Sequence, residues 1–184
     1  MKTKQFLLIL LAITVIALIV RAVICIPLFN APDVQNPNVQ TDMATYLTMA
    51  KDILKGKWPD HYDYQPFYYT IFLPVCLAIV SKSTILVMIL QALLGSLAVW
   101  LVGLGTAQLY GRKAGLLAAA LLALARFHAF YTPFLLFEVL NSFWLALLFW
   151  LLVRSWKRNT WLLWMLLAVV LSCEIGRASC RERV

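Results

Sequence analysis

The sequence predicts an all-α protein that crosses a membrane several times. Of its 184 residues, 63% are hydrophobic and 13% are charged, which is more apolar surface than the dry core of a soluble domain requires. The apolar residues form long blocks, and a block of about 18 or more residues can cross the hydrocarbon core of a bilayer. Basic residues gather at the ends of these blocks, as they do in membrane proteins. The net charge of +8 therefore indicates a lipid bilayer as partner and not nucleic acid.

The apolar blocks predict a polytopic transmembrane helix bundle with four complete spans and a truncated fifth. In chain order the blocks occupy residues 6–26, 84–109, 114–131, 134–153 and 161–173. The first block follows two lysines, as in a secretory signal, but it is too long for one and no small-x-small cleavage site follows it. It is therefore predicted to be an uncleaved helix.

Three basic segments determine the predicted orientation. They are the N-terminus, the turn at 110–113 and the connection at 154–160. All three fall on one side of the membrane if the first block crosses outward and the next three alternate. The positive-inside rule makes that side cytoplasmic. The N-terminus is then cytoplasmic, and the loop at 27–83 lies outside.

The external loop is predicted to carry interfacial helices between the first and second spans. Residues 41–55 have an apolar stripe at helical spacing, with Thr41 as N-cap and Gly56 just past the end. Residues 67–80 are apolar but too short to span comfortably, which favours an interfacial or re-entrant helix over a short span. Tyr68 and Tyr69 belong to an aromatic group expected at headgroup level.

The last eleven residues, 174–184, break the apolar pattern of the fifth block. They resemble the translation of a common short-read sequencing adapter, whose next triplet is a stop codon. A basic cytoplasmic tail is the alternative. We expect this segment to be non-native and residues 1–173 to be the N-terminal part of a longer protein, inactive by itself.

Two carboxylates are candidates for catalysis. Asp42 opens the amphipathic helix, with Tyr46 one turn later, although a first-turn carboxylate is also stabilised simply by the helix dipole. Glu138 stands among apolar residues, where a charge is costly unless it faces a polar cavity or the bundle interior. The alternative for Glu138 is a helix-end position at headgroup level.

Other polar residues lie near the predicted outer surface. Arg21, Arg126 and His128 approach it from the spans, and each arginine is suited to bind phosphate, to snorkel or to pair with an acid. His61 lies between two aspartates, a spacing that is not diagnostic of a metal site. Four glycines are predicted to permit close helix packing, since no strand precedes them to form a phosphate loop. They are Gly103, Gly105, Gly111 and Gly115.

The order of these features resembles the N-terminal region of the GT-C glycosyltransferases. The nearest resemblance is to bacterial relatives of the dolichyl-phosphate-mannose protein mannosyltransferases and to lipid A aminoarabinose transferases. It covers Arg21 to about Val153. The matching segments are Asp42-x-x-x-Tyr46-x-x-x-Ala50, Tyr64-Gln-Pro-Phe67, Gln91-Ala-Leu-Leu-Gly95-Ser96, the turn Tyr110-Gly-Arg-Lys-Ala-Gly115, and finally Tyr131 with Glu138.

The resemblance implies roles for individual residues. Asp42, with Tyr46, corresponds to the catalytic acidic residue of the first external loop, and Glu138 to the acidic residue of the second. Gln65 stands where the family often has a charged phosphate contact. The family often has Pro at the position of Arg126, so no role carries over to it. Arg126, His128 and His61 remain candidates for substrate binding by position.

The resemblance also implies an activity. The full-length protein is expected to transfer a sugar from a polyprenyl-phosphate donor to a lipid, glycan or protein acceptor, with inversion, at the outer face of a bacterial inner membrane. Members of the fold differ in metal use, so a divalent ion stays an open cofactor. The alternative is a transporter or flippase, with Arg21 and Arg126 along its pathway. Broken helices would favour that reading, but the predicted spans contain no internal proline.

Overall fold

The computed structural model describes residues 2–59, 66–80, 84–157 and 160–175, and every regular element in these ranges is a helix. The predicted all-α class is confirmed. A 3₁₀ turn at Ile26–Leu28 follows the first helix, and a π-helical turn at Tyr68–Phe72 leads into the fourth. The helices are α1 (Thr3–Cys25), α2 (Pro32–Gln35), α3 (Asp42–Leu54), α4 (Leu73–Ile79), α5 (Ile85–Tyr110), α6 (Arg112–Ala123), α7 (Arg126–Phe130), α8 (Glu138–Lys157) and α9 (Trp161–Ile175).

Three of the described helical segments are long and apolar enough to cross a membrane: Thr3–Leu28, Ile85–Tyr110 and Glu138–Lys157. The predicted helix at 114–131 is instead divided, because α6 ends at Ala123 and α7 begins at Arg126. Ala125, between them, has an extended backbone with φ −65° and ψ 96°. The prediction of four complete spans is therefore not confirmed.

Helix α5 forms the centre of the bundle and packs against α1, α6 and α8, while α9 packs on α8. Half of the apolar window of α5 is buried, against 17% of that of α1, so α1 leaves most of its apolar surface for lipid. Small residues bring α5 and α6 together: a Cβ on Gly115 would lie 2.5 Å from the carbonyl oxygen of Gly103. This confirms the predicted close packing.

Gly105 also makes room for a neighbour, since a Cβ there would lie 2.5 Å from Phe149 of α8. Gly111 does not follow the same prediction. It has φ +91° in the turn between α5 and α6, and nothing lies within 4 Å of its Cβ position. Its role is conformational, because side chains rarely adopt this backbone geometry.

Hydrogen bonds identify the two ends of the bundle. At one end the Nη2 of Arg112 donates to Thr3 Oγ1 at 2.8 Å, and Lys157 donates to the carbonyl of Gln108. We call this the basic end, because the N-terminus of α1, the α5–α6 turn and the C-terminus of α8 meet there. At the other end, the site end, Arg21 contacts His128. The predicted grouping of the basic segments is thus confirmed, while the side that faces the cytoplasm stays a prediction.

The segment between the first and second apolar blocks contains the predicted helix, α3. Its N-cap is Thr41, whose hydroxyl accepts from the backbone N–H of Ala44 at 3.4 Å, and Gly56 beyond its end has φ +80°. The apolar face of α3 packs on the π-helical turn and on α4. Tyr68 and Tyr69 are fully buried in this contact, and their position at headgroup level stays a prediction. The orientation of α3 along the membrane surface stays a prediction.

Candidate functional site

A cavity of about 210 Å³ opens at the site end, between α7 and the start of α8. Since a water molecule occupies about 30 Å³ of liquid, the cavity has room for about seven waters, or one ring-sized group. Two of the predicted site residues, His128 and Glu138, line it. Its described lining consists of Phe127, His128, Tyr131, Glu138, Val139 and Ser142.

Glu138 is the first residue of α8 and is half-buried. The helix N-terminus stabilises its carboxylate, because the unpaired N–H groups there carry partial positive charge. The preceding loop is held by Gln91 of α5, which is fully buried. The Nε2 of Gln91 donates to the carbonyls of Phe134 at 3.1 Å and Leu136 at 3.0 Å. Gln91 thus holds in place the loop that leads into Glu138.

An aromatic cluster connects α3 to the same loop. The ring of Tyr46 stacks on Tyr69, with centroids 6.0 Å apart and planes 6° apart. It also meets the edges of Tyr68 and Phe137, at 5.7 Å and 6.2 Å. Since Phe137 directly precedes Glu138, Tyr46 anchors α3 beside the cavity. Its predicted role in substrate binding is untested and stays a prediction.

Tyr68 is the most enclosed member of this cluster. Burial, reinforced by nearby Cys76, Glu138 and Tyr46, holds the pKa of Tyr68 well above its ordinary value. Its hydroxyl has no hydrogen-bond partner among the described residues. Tyr68 is therefore a neutral phenol, and its hydroxyl proton is a donor close to the Glu138 carboxylate. No local signal marks Tyr68 in the sequence, because it is one of several tyrosines in a loop.

Asp42 does not line the cavity. Its side chain is exposed in the first turn of α3, while Tyr46, one turn later, is buried. Among the described residues, Glu138 lines the cavity and Asp42 does not, so the predicted cavity common to the two is not confirmed. The packing of Tyr46 on Phe137 does bring the N-terminal part of α3 to the site end. The assignment of Asp42 as the catalytic base stays a prediction.

Arg21 is the most buried charged residue of the described chain, with no exposed surface. Its Nη1 donates to the carbonyl of Ala17 at 2.9 Å, and its Nη2 lies 2.5 Å from the Nδ1 of His128. Gly95 of α5 makes the space, since a Cβ there would lie 2.8 Å from the Nε of Arg21. Of the predicted alternatives, snorkelling is excluded. The partners of Arg21 are a carbonyl and an imidazole, not a carboxylate.

Arg126 lies at the edge of the cavity and is exposed. The central carbon of its guanidinium is 5.9 Å from the ring centroid of Phe127, which lines the cavity. This distance permits a cation–π contact that orients the guanidinium beside the opening. An exposed cation thus stands next to the cavity lining in the chain, whereas the buried cation Arg21 contacts His128.

Two predicted binding residues, His61 and Gln65, lie outside the described residues. Within the described ranges, no group of three or more His, Cys, Asp or Glu side chains could hold a metal ion. We therefore assign no metal ligand and derive no step through a metal. A larger pocket of about 420 Å³ lies along α3, but none of the predicted site residues lines it.

Comparisons with protein-family models, with curated proteins and with solved structures find no match for this chain. The resemblance to GT-C glycosyltransferases thus rests on the residue pattern alone. The function has to be argued from the geometry of the site end.

Proposed function

We propose that this chain forms the donor-binding part of a membrane glycosyltransferase, which moves a sugar from a polyprenyl-phosphate carrier to a hydroxyl of a lipid, glycan or protein. The observation that carries the proposal is the cavity between His128 and Glu138, with the cation of Arg126 at its edge. Polar groups inside and a cation outside suit a donor that has a neutral sugar joined to a charged phosphate.

The proposed membrane placement has the basic end in the cytoplasm and the site end at the outer surface. Thr3 and Arg21 are eighteen helical residues apart, or about 27 Å, which is close to the thickness of the hydrocarbon core. Helix α6 begins beside Thr3, and α7 brings His128 to Arg21. This supports α6 and α7 together as a further, interrupted crossing. Helices α3 and α4 then lie at the outer surface.

The proposed reaction is a direct displacement at the anomeric carbon, which inverts it, as in inverting glycosidases. The acceptor oxygen forms the new bond as the bond from the anomeric carbon to the phosphate oxygen breaks. The acceptor proton passes to a carboxylate, and exposed Asp42 suits an acceptor that arrives from outside. The phosphate leaves with the electron pair, and Arg126 stabilises its charge. Glu138 orients the sugar in the cavity.

Turnover of a radiolabelled polyprenyl-phosphate sugar by membranes containing the full-length gene product tests the proposal. We expect label to move to an acceptor in wild-type membranes and not in membranes with Glu138→Gln. Asp33→Asn is the control, because Asp33 is also a first-turn carboxylate, on α2, but is exposed and outside the cavity lining. Undiminished transfer with Glu138→Gln contradicts the proposed role of the cavity.

One observation favours the alternative, a transporter or flippase. The interruption between α6 and α7 lies beside the buried cation Arg21, and transporters commonly bind substrate at broken helices. Vesicles that carry a fluorescent polyprenyl-phosphate sugar distinguish the two. A flippase moves the intact lipid between leaflets, whereas a transferase cleaves its sugar–phosphate bond.

A further inference from the structure

The contact between Arg21 and His128 determines where the imidazole carries its proton. A guanidinium has donors only and stays protonated in proteins. The Nδ1 of His128, 2.5 Å from the Nη2 of Arg21, must therefore be the acceptor. An accepting Nδ1 has no hydrogen, so the single proton of the neutral ring is on Nε2.

The surroundings of His128 oppose a second charge on the ring. An imidazolium would place two cations in direct contact in a buried site, where repulsion is strong. The titratable groups near the pair are Cys25 on α1, and Tyr131 and Glu138 around the cavity. The carboxylate of Glu138 favours a cation on His128, but Arg21 is in hydrogen-bonding contact with the ring and dominates. From α5, Gly95 contributes no side chain at all.

We propose that Arg21 is a positioning residue that fixes His128 as the neutral Nε2–H tautomer, so that the cavity accepts a neutral hydroxyl-bearing group and rejects phosphate. The Nε2 atom of His128 has no hydrogen-bond partner among the described residues. A hydroxyl can accept from this N–H and donate to the Glu138 carboxylate at the same time. A phosphate can only accept, and Glu138 repels its charge.

The rest of the lining agrees with a sugar ring as occupant. Phe127 and Tyr131 offer apolar rings, and the hydroxyl of Ser142 adds a further donor and acceptor. The identity of the hydroxyl-bearing group as the sugar of a lipid-linked donor rests on the proposed function. The tautomer of His128 and the preference for a neutral ligand do not depend on the proposed function.

Nitrogen-15 NMR of this chain in lipid nanodiscs at pH 7 tests the tautomer. The chain has two histidines, so His61→Gln assigns the ring signals of His128. We expect a protonated Nε2 and an unprotonated Nδ1. In Arg21→Met, which removes the donor, we expect loss of this preference and mixed tautomers. Arg126→Met removes the arginine two residues from His128 and should leave the tautomer unchanged.

The wild-type spectrum alone decides against the inference if Nδ1 carries the proton or if the ring is an imidazolium. This outcome does not depend on the folding of Arg21→Met. A retained Nε2–H preference in a folded Arg21→Met chain also overturns the inference, because Arg21 would then not be its cause.

Ligand selectivity is measured by saturation-transfer NMR on the same nanodiscs, with methyl α-glucoside and methyl phosphate as probes. We expect transfer to the glucoside in the wild type, and its loss in Glu138→Gln and in Arg21→Met. Transfer to methyl phosphate should not depend on Arg21, and Glu138→Gln should not decrease it, because that substitution only removes a repelling charge. A phosphate signal that depends on Arg21 overturns the proposed selectivity. If the glucoside binds as expected but the full-length protein transfers no sugar, only the proposed function fails.

Discussion

The basic end and the site end of the bundle both contain arginine, but in opposite surroundings. At the basic end Arg112 is exposed and donates to Thr3, and Arg154 is half-buried with its guanidinium carbon 5.5 Å from the ring centroid of Trp150. At the site end Arg21 has no exposed surface. Exposed cations cost little and determine how the chain lies in the membrane. A buried cation is costly, and membrane proteins retain such groups where they have a function.

The largest expected effect is on catalysis at the site end. In the full-length gene product, Asp42→Asn keeps the size of the side chain and removes the base. Turnover should fall by about 10²-fold or more, the usual scale for loss of general-base assistance, with a smaller change in donor binding. Transfer rates at varied donor concentration measure both effects. Near-normal turnover would show that Asp42 is only a helix-capping charge and not the catalytic base. Asp33→Asn serves as the control.

His128→Leu should destabilise the chain by about 2–3 kcal/mol, because it leaves the buried guanidinium of Arg21 without its side-chain partner. The double variant Arg21→Met with His128→Leu removes the charge as well and should recover most of this loss. Reversible unfolding in mixed micelles measures both. If the double variant is less stable than His128→Leu, the cation itself stabilises the bundle. The expectation that a buried cation is costly at the site end is then wrong.

Gln91→Leu should cost about 1–3 kcal/mol, since the carbonyls of Phe134 and Leu136 lose their buried donor. The same unfolding assay applies. Hydrogen exchange of the backbone around Glu138 should also increase, because the loop before α8 is no longer held. Gln108→Leu at the basic end is the matched control, because the Gln108 side chain makes no such bonds in the described structure. If hydrogen exchange near Glu138 is unchanged, the order of the loop before α8 does not depend on the Gln91 hydrogen bonds.

The smallest expected effect is at the basic end. Arg112→Met removes an exposed hydrogen bond to Thr3 and should change stability by less than about 1 kcal/mol. Its consequence should appear in topology, when it is combined with Lys113→Cys, which removes the second charge and supplies a labelling position. Cysteine labelling at positions 51 and 113 from either side of the membrane measures the orientation. Labelling of both positions from the same side contradicts the proposed topology.

The sequence contained enough to predict the local features. Long apolar blocks predicted the helices. The terminal residues of α3 were correctly assigned, because the capping roles of Thr41 and Gly56 depend only on neighbouring residues. The clustering of basic residues predicted which termini meet. These features depend on spacing within one segment.

The features that build the cavity depend on contacts distant in sequence. Arg21 and His128 are 107 positions apart, and nothing local marks them as partners. The interruption at Ala125 occurs without proline, in a run whose composition is typical of an unbroken helix. Gln91 is an amide within an apolar span, and such a residue is itself a signal of a buried polar contact, although its partners cannot be read from the sequence.

The turn at Gly111 has a consequence for how the protein is made. Helix α6 has twelve residues, or about 18 Å, which is too short to cross the hydrocarbon core alone. Its approach to α5 at Gly103 and Gly115 ties it to a helix that is long and apolar enough to cross the membrane. During synthesis, α5 and α6 should therefore enter the bilayer as one helical hairpin. The hydrophobicity of α5 then drives the insertion of both, so polar substitutions in α5 should also impair delivery of the segment that carries His128.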